Sequence, residues 1–295
     1  MTDIKDIKLA VIGGDLRMLY CASSLSARGF ETCFCGFDHA SADCGGAVRC
    51  GSVADALAGA GAVILPVPYT ADGCRINCPF SRSEIRIDGL ISQLRPSQLV
   101  FAGVCRPSLY DAAEAAGLTV TDYMKDEVLT VKNARATAEG ALELCLRELP
   151  VTLLGLRVLV LGFGRVGFAV AELFKAAGCD VTVCARRAEQ LARAQCSGFG
   201  ACDFKRLCRV IPDADVVVNT VPNTVVDANV LSFVPKGTPV VDLASMPGGV
   251  DGDAAAHFGV RVIHALSLPG KTAPVSAGGY IADAICSALE MRGVV

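Results

Sequence analysis

The chain has 295 residues, of which 52% are hydrophobic and 19% charged, and its net charge is −3. This composition is too apolar for a disordered chain, and its slight acidity argues against nonspecific nucleic-acid binding. The best candidate for a membrane span, "VTLLGLRVLVLGFG", is interrupted by Arg157 and is too short, and the first residues contain no apolar signal segment. We therefore expect a cytoplasmic protein that binds neither nucleic acid nor membrane.

The cysteines do not indicate a metal site. There are 15 of them, scattered from Cys21 to Cys286 with no C-x-x-C pair, beside only three histidines. Zinc sites need closely spaced Cys and His ligands. We predict no metal site and expect mostly reduced thiols packed as small apolar side chains.

The first half of the chain reads as strands that alternate with helices. The apolar run Leu9–Ile12 ends at Gly13 and Gly14, a helical pattern follows over 17–28, and "ETCFCGF" reads as a second strand. The stretches "AGAVILPVPYT" and "SQLVFAGVC" read as two further strands, with helices over 53–58 and 107–116. Such alternation predicts a parallel sheet with helices on both faces.

The same pattern restarts after a long helix. A helical stretch over 134–149 is ended by Pro150, and "RVLVLGFGRVGFAVAELFKAAGCDVTVCARR" then reads as strand, glycine loop, helix and strand. Three more strands, "ADVVVNTVP", "TPVVDLAS" and "VRVIHA", precede a final helix over 276–291.

The sequence therefore predicts an α/β fold of two Rossmann-like, doubly wound parallel-sheet domains joined by a connecting helix. We predict an N-terminal substrate domain at 1–133, completed by the C-terminal helix at 276–295. The connecting helix is predicted at 134–150 and a dinucleotide-binding domain at 151–275.

The segment "GFGRVG" has the spacing G-x-G-x-x-G between a strand and a helix. In this setting Gly162 permits a tight turn, Gly164 lets a pyrophosphate approach the backbone, and Gly167 lets the helix pack close to the strand. The pyrophosphate would meet free N–H groups at the helix N-terminus, which begins with Arg165 and Val166. The alternative is a glycine turn without a ligand.

The end of the next strand indicates which dinucleotide binds. An acid that bonds the ribose 2′-hydroxyl of NAD is expected about 20 residues after the glycines. Ala185 stands 18 residues after Gly167, and Arg186 and Arg187 follow it. Guanidinium groups match phosphate oxygens, so the pattern favours NADP(H). Two solvated surface arginines are the alternative.

Two later loops are expected to line the nicotinamide side. Because the carboxyl ends of parallel strands face the ligand crevice, "NTVP" places Thr220 and Pro222 there, and "DLASMPGG" places Leu243 and Ser245 there. These four residues complete the predicted cofactor site.

Cationic and polar residues at other predicted strand and helix ends are candidates for binding an anionic substrate. They are Arg17, Ser81, Lys132, Asn133, Thr137 and Lys271. Lys271 lies in "LPGKTAP", before the N-terminus of the last helix, where its charge and the helix dipole would act together. Lys132 and Lys271 are the candidate catalytic residues. For Lys132 the alternative is an exposed helix charge.

Seven motifs together carry a resemblance to a known family. In order they are "GGDLR", "PFS", "KNARATAEGA", "GFGRVG", "NTVP", "DLASMPGGVD" and "LPGKTAPVSAG", and they span nearly the whole chain. Together they resemble the dipicolinate synthase A-subunit family. His264 and Ser267 in "HALSLPGK" depart from the apolar or glycine residues expected there, so the resemblance gives His264 no role as a shared catalytic base.

The resemblance implies an NADP-dependent oxidoreductase of spore-forming bacteria. It implies oxidation of dihydrodipicolinate to pyridine-2,6-dicarboxylate, a flavoprotein-like dipicolinate synthase B-subunit as partner, and action in the mother cell during sporulation. It also implies a two-domain fold similar to alanine dehydrogenase, and it is compatible with a homo-oligomer. Two alternatives stay open from the residues themselves: a nucleotide-sensing regulatory domain, and another NADP enzyme such as a shikimate-dehydrogenase-like reductase.

Overall fold

A computed structural model describes residues 7–42 and 44–294, and the chain divides into two compact units. The first unit comprises Met1–Asn133 and Pro269–Val295, and the second comprises Ala134–Leu268. Residues 269–275, which the sequence assigned to the dinucleotide-binding domain, thus belong to the first unit.

The first unit begins with six strands and four intervening helices. Strands β1 to β6 are Leu9–Ile12, Thr32–Cys35, Val48–Arg49, Ala62–Ile64, Leu99–Ala102 and Thr119–Asp122. Helices α1 to α4 are Leu16–Ala27, Val53–Leu57, Ile87–Ile91 and Pro107–Ala115. The long helix α5, Glu127–Glu148, starts in this unit and continues into the second.

The second unit repeats the alternation. Strands β7 to β12 are Arg157–Leu161, Asp180–Ala185, Gly200–Asp203, Val216–Asn219, Val240–Asp242 and Val262–His264. Helices α6 to α10 are Arg165–Ala176, Ala188–Cys196, Leu207–Val210, Ala228–Leu231 and Gly252–Phe258. A short helix α11, Leu268–Thr272, and the final helix α12, Pro274–Met291, follow.

Both sheets are parallel and doubly wound. Their strand orders are β3-β2-β1-β4-β5-β6 and β12-β11-β10-β7-β8-β9. In each sheet the second and third strands are added on one side of the first strand, and the fourth strand is added on its other side. The topological switch points therefore lie between β1 and β4 and between β7 and β10. Ligands of open α/β sheets bind at the carboxyl ends of the strands at such points. The predicted fold class is confirmed.

Helix α12 belongs to the core of the first unit. Ile281, Ile285 and Leu289 are buried in the same apolar cluster as Met18 and Leu19 of α1. The two helices approach closely at Gly278, where a Cβ atom would lie 2.5 Å from the carbonyl oxygen of Arg17. The last segment of the chain therefore holds the helix that follows the first glycine turn.

The connecting helix starts earlier than the sequence pattern predicted. It begins at Glu127 instead of residue 134, because the Asp126 carboxylate accepts a hydrogen bond from the Leu129 amide, 2.7 Å away, and caps the helix. Lys132 and Asn133 therefore lie inside the helix, whereas the predicted start at residue 134 placed them just before it. Among the described residues, no helix combines the length and apolar character needed to cross a membrane.

Candidate active site

The glycine loop after β7 has the close contacts that its spacing requires. Gly162 has φ +93°, and its amide donates to the carbonyl of Cys184 at 2.8 Å. A Cβ atom on Gly167 would lie 2.2 Å from the carbonyl oxygen of Gly162, so α6 packs directly on the turn. Gly164 caps α6, and a Cβ atom there would meet no described atom within 4 Å. The loop thus leaves space for a ligand at the helix N-terminus.

Thr220 lies against this loop across the switch point. Its amide and hydroxyl both donate to the carbonyl of Leu161, at 2.9 and 2.8 Å. A Cβ atom on Gly162 would lie 2.6 Å from the Thr220 hydroxyl. The structure therefore brings together the glycine loop and one of the residues predicted on the nicotinamide side.

The end of β8 carries the two predicted arginines on the surface. Ala185 is buried, whereas Arg186 and Arg187 are exposed and precede α7. Arg187 Nε lies 3.1 Å from a carboxylate oxygen of Glu189. No side-chain partner of Arg186 is found in the part of the chain that the structure describes. The position where NAD-binding proteins carry an acid is therefore occupied by Ala185, and two exposed arginines follow it.

Two residues of α7 fix the glycine loop, and sequence reasoning missed both. The Gln190 amide donates to the carbonyl of Phe163 at 3.2 Å. The guanidinium of Arg193 lies 4.4 Å from the ring centre of Phe168 and 5.7 Å from that of Phe163. These contacts tie the helix after β8 to the loop after β7. Their signal in sequence is only the helical spacing of Gln190 and Arg193.

A buried amide–carboxylate pair holds the loops after β10 and β11. Asn219 and Asp242 are the last residues of these neighbouring strands and face each other in register. Asn219 Nδ2 donates to Asp242 Oδ1 at 2.8 Å, and the amides of Ala244 and Gly249 donate to the same carboxylate. Each of these three donors is a neutral N–H group. In the sequence, the only sign of this pair is that each of the two apolar strands ends in a polar residue.

This pair positions the remaining predicted cofactor residues. The amide of Leu243 donates to the carbonyl of Asn219 at 2.9 Å, and Leu243 is half-buried. Pro222 and Ser245 are exposed in the two loops. His264, at the end of β12, has its Nδ1 4.0 Å from Asp242 Oδ2, which is beyond hydrogen-bonding distance.

In the first unit, Arg17 crosses the switch point. Its side chain is 6% exposed and forms a two-pronged ion pair with Asp15, with Nη2 to Oδ2 at 2.7 Å. Nη2 also donates to the carbonyl of Val67, after β4, at 2.8 Å. Asp15 caps α1 through the Arg17 amide. The Arg17 guanidinium is therefore held rigidly at the carboxyl ends of β1 and β4.

The residue before Lys271 lies beside this ion pair in the same unit. A Cβ atom on the preceding residue, Gly270, would lie 2.5 Å from Asp15 Oδ2 and 2.9 Å from Arg17 Nε. The sequence analysis placed Lys271 in a loop before the last helix, but it lies in the last turn of α11 and is exposed. Lys271 still precedes the last helix, as expected, because α12 begins three residues later at Pro274.

The first glycine turn differs from the second in the space above it. A Cβ atom on Gly13 would lie 2.1 Å from the sulfur of Cys78. The amide of Gly14 donates to the same sulfur, while burial raises the pKa of the Cys78 thiol to about 11. The side chain of Cys78 thus fills the space beside Gly13, and the N-cap of the helix that follows is Asp15, where α6 has Gly164.

Lys132 is paired within its own unit. Its ammonium lies 2.9 Å from Asp283 Oδ2 on α12 and 5.3 Å from the ring centre of Tyr280. Arg28 binds the other oxygen of Asp283. Partial burial by itself raises the pKa of Asp283, but the hydrogen bonds from Lys132 and Arg28 outweigh it and lower this pKa. Lys132 thus joins α5 to α12.

The other predicted substrate residues are spread along the first unit and α5. The Ser81 hydroxyl donates to the carbonyl of Ser83 at 2.7 Å and closes its own turn. Asn133 is half-buried and Thr137 is buried in α5. The described residues contain no cluster of His, Cys, Asp and Glu side chains that could hold a metal ion.

Known proteins are similar to this chain over almost its whole length. The pattern of the N-terminal domain of the dipicolinate synthase A-subunit matches residues 8–124, and that of the NAD-binding domain of D-isomer specific 2-hydroxyacid dehydrogenases matches residues 127–244. The dipicolinate synthase A-subunit of Bacillus subtilis (strain 168) is 31% identical over 284 residues, which cover 96% of each chain. The chain belongs to the dipicolinate synthase A-subunit family.

Solved structures agree with this assignment. The dipicolinate synthase A-subunit from Bacillus halodurans superposes with a TM-score of 0.87 at 30% identity, covering 97% of this chain and 99% of its own. An L-alanine dehydrogenase superposes with a TM-score of 0.66 at 17% identity, covering 98% and 91%, and shares the fold. The second unit of this family member is a nicotinamide-dinucleotide domain of the dehydrogenase type, so the protein is an oxidoreductase.

Proposed function

We propose that the protein is an NADP-dependent oxidoreductase that converts dihydrodipicolinate to pyridine-2,6-dicarboxylate. The observation that carries this proposal is the end of β8 in a member of this family, where Ala185 is followed by exposed Arg186 and Arg187. A carboxylate at Ala185 would repel a 2′-phosphate, and two guanidinium groups attract one.

The dinucleotide is expected to bind on the second unit. Its pyrophosphate would lie over Gly164, against the N-terminal amides of α6 at Arg165 and Val166. Its nicotinamide half would contact Thr220 and Pro222 after β10 and Leu243 and Ser245 after β11. Bound NADP⁺ supplies the hydride acceptor.

The dicarboxylate is expected to bind on the first unit, near Arg17 and Lys271. The backbone at Gly270 lies against the Asp15–Arg17 pair, and Lys271 is the next residue in the chain. Since Asp15 takes up Nε and Nη2 of Arg17, the remaining Nη1 is the nitrogen of this guanidinium that we assign to a substrate carboxylate. Lys271 is exposed and makes no ion pair within the described residues, which suits it to a second carboxylate.

Of the other residues predicted to bind substrate, three stay candidates and Lys132 receives a structural role. Ser81, Asn133 and Thr137 stay candidates for binding by their polarity. Lys132 is half-exposed and bonded to Asp283, so we propose that it stabilises the packing of α5 on α12 more than it contacts substrate.

The chemistry requires little from the protein beyond orientation. Oxidation of a dihydropyridine removes one hydride and one proton, and the gain of aromaticity drives it. The protein has to hold the ring through its two carboxylates and keep it in one pose. We also propose, from the family, that a dipicolinate synthase B-subunit acts as partner during sporulation.

The decisive experiment is a direct assay. The protein is mixed with freshly prepared dihydrodipicolinate and NADP⁺, with and without the B-subunit of the same organism, and the absorbance of NADPH and of pyridine dicarboxylate is followed. The two products should rise together in equal amounts. The same assay with NAD⁺ tests the cofactor. No reduction of either dinucleotide in the presence of the B-subunit would contradict the proposal.

A further inference from the structure

Two cysteines face each other across the strands that end at the predicted cofactor site. Cys184 of β8 and Cys202 of β9 are directly paired in register on these neighbouring parallel strands. Both point into the same apolar cluster, with Cys184 fully buried and Cys202 6% exposed. Strand β9 is the edge of its sheet, so Cys202 is the member of the pair that small molecules reach first.

The two thiols interact with each other and differ in acidity. A side-chain hydrogen bond links Cys184 and Cys202. This bond, with help from the nearby Arg206, lowers the pKa of Cys202, whereas the same bond and burial raise the pKa of Cys184. Thiolates are the reactive form of cysteine. Because Cys202 is also the more exposed of the two and lies on the edge strand, we assign it as the nucleophile and Cys184 as the resolving thiol.

The pair lies next to groups that shape the dinucleotide site. The carbonyl of Cys184 accepts the amide of Gly162, the first glycine of the loop, at 2.8 Å. Cys184 is followed by Ala185, which pairs with Asp203, and then by Arg186. A change in the spacing of β8 and β9 at this level would therefore act on backbone that is hydrogen-bonded to the loop and that directly precedes the arginine we assign to the 2′-phosphate.

We propose that Cys184 and Cys202 form a reversible disulfide when the protein meets hydrogen peroxide, and that this disulfide weakens dinucleotide binding. A disulfide holds its sulfurs about 2.05 Å apart. That separation is shorter than any hydrogen-bonded contact between two sulfurs, so the strand ends must shift. The effect on binding, though not the disulfide itself, rests on the proposed function.

The chemical steps balance with peroxide as the oxidant. The Cys202 thiolate attacks one peroxide oxygen, the O–O bond breaks, and a sulfenic acid and hydroxide form. The Cys184 sulfur then attacks the Cys202 sulfur, the S–O bond breaks, and a second hydroxide leaves. The two thiol protons convert both hydroxides to water, so two thiols and one peroxide give one disulfide and two waters. A dithiol reductant reverses the change.

Other buried cysteines supply an internal comparison. Cys145 and Cys179 are both buried in the second unit, and burial raises the pKa of each thiol. Neither has the lowered pKa that marks Cys202. We therefore expect these two to stay reduced at a peroxide dose that oxidises the strand pair.

The first test maps the disulfide in the wild-type protein. The protein is treated with peroxide, remaining thiols are blocked, and tryptic peptides are sequenced by fragmentation mass spectrometry. Fragmentation is needed because the peptides covering 176–186 and 194–205 also contain Cys179 and Cys196. A Cys184–Cys202 link that dithiothreitol removes supports the proposal. Oxidation of other cysteines while this pair stays reduced overturns it, whatever the cofactor.

The second test measures binding of whichever dinucleotide the reduced wild type binds. Affinity should fall by roughly fivefold or more on oxidation, the lower end of typical coupling between sites, and return on reduction. Cys202→Ser should remove this sensitivity, and Cys196→Ser, which changes an exposed cysteine of α7, should keep it. A mapped disulfide with unchanged affinity would overturn the coupling. If Cys202→Ser fails to fold, the oxidised and reduced wild types decide the question.

Discussion

A Cβ atom on Gly167 would lie 2.2 Å from the carbonyl oxygen of Gly162. Helix α6 and the turn after β7 therefore touch backbone to backbone, and no side chain can yield. We expect Gly167→Ala to lower the free energy of unfolding by about 1–3 kcal/mol, the usual cost of overpacking. Urea denaturation measures this. Gly164→Ser is the matched control: Gly164 has φ −82° and open space beside it, so its stability should stay near that of wild type.

Gly164→Val separates binding from folding at the same loop. The valine branches would occupy the space beside the N-terminus of α6 that we assign to the pyrophosphate. The backbone there is extended and suits valine, so the fold should survive with a capping loss of about 1 kcal/mol. Binding of NADPH, followed by its fluorescence, should vanish. Normal NADPH binding by a folded Gly164→Val protein would mean that the loop is not the dinucleotide site.

Arg186 and Arg187 should decide between the two nicotinamide dinucleotides. Loss of one charge-assisted phosphate contact costs about 1.5–3 kcal/mol, or roughly ten- to a hundredfold in affinity. Arg186→Ala and Arg187→Ala should each weaken NADPH and leave NADH nearly unchanged in parallel titrations. Glu189→Gln frees Arg187 from its carboxylate partner and should strengthen NADPH binding. Equal affinity of the wild type for NADPH and NADH would refute the assignment.

Lys271→Ala should weaken substrate binding and spare the dinucleotide. We expect a higher KM for dihydrodipicolinate, or loss of turnover, with unchanged NADPH affinity. Arg17→Lys keeps the charge but loses the planar fork, and it should act in the same direction. Lys236→Ala, which alters an exposed lysine of the second unit, is the control. Kinetics of Lys271→Ala that match this control would show that Lys271 does not bind substrate.

The ion pairs of Asp283 should make stability depend on pH in acid. The hydrogen bonds from Lys132 and Arg28 lower the pKa of Asp283 in the folded protein against the opposing effect of partial burial. A lowered folded pKa gives stabilisation that is complete above the unfolded value, about 3.9, and is lost as the pH falls through the folded pKa.

Asp283→Asn should therefore lower stability at neutral pH and flatten the acid side of the stability profile, as measured by thermal melts across pH. Asp111→Asn, which changes an exposed carboxylate of α4, serves as control and should leave the profile unchanged. An Asp283→Asn profile parallel to that of wild type would contradict this explanation.

The sequence by itself determined the fold class and the glycine turn after β7. Apolar runs such as Leu9–Ile12 and the glycine spacing at 162–167 are local signals, because a buried strand and a tight turn each constrain the residues that form them. The three strands that the pattern missed, β3, β6 and β9, all lie at sheet edges. An edge strand pairs on one side only, so its composition need not be apolar and carries little signal.

Only the tertiary structure decided which polar residues come together. Arg17 and Lys271 are distant in sequence, and we had assigned them to different domains. Packing of α12 on α1 at Gly278 places them in one unit, and Gly270 lies against the Asp15–Arg17 pair. The same packing pairs Lys132 with Asp283, and register alone sets Cys184 opposite Cys202. Such contacts depend on where whole elements dock, and no local pattern of residues encodes a docking partner.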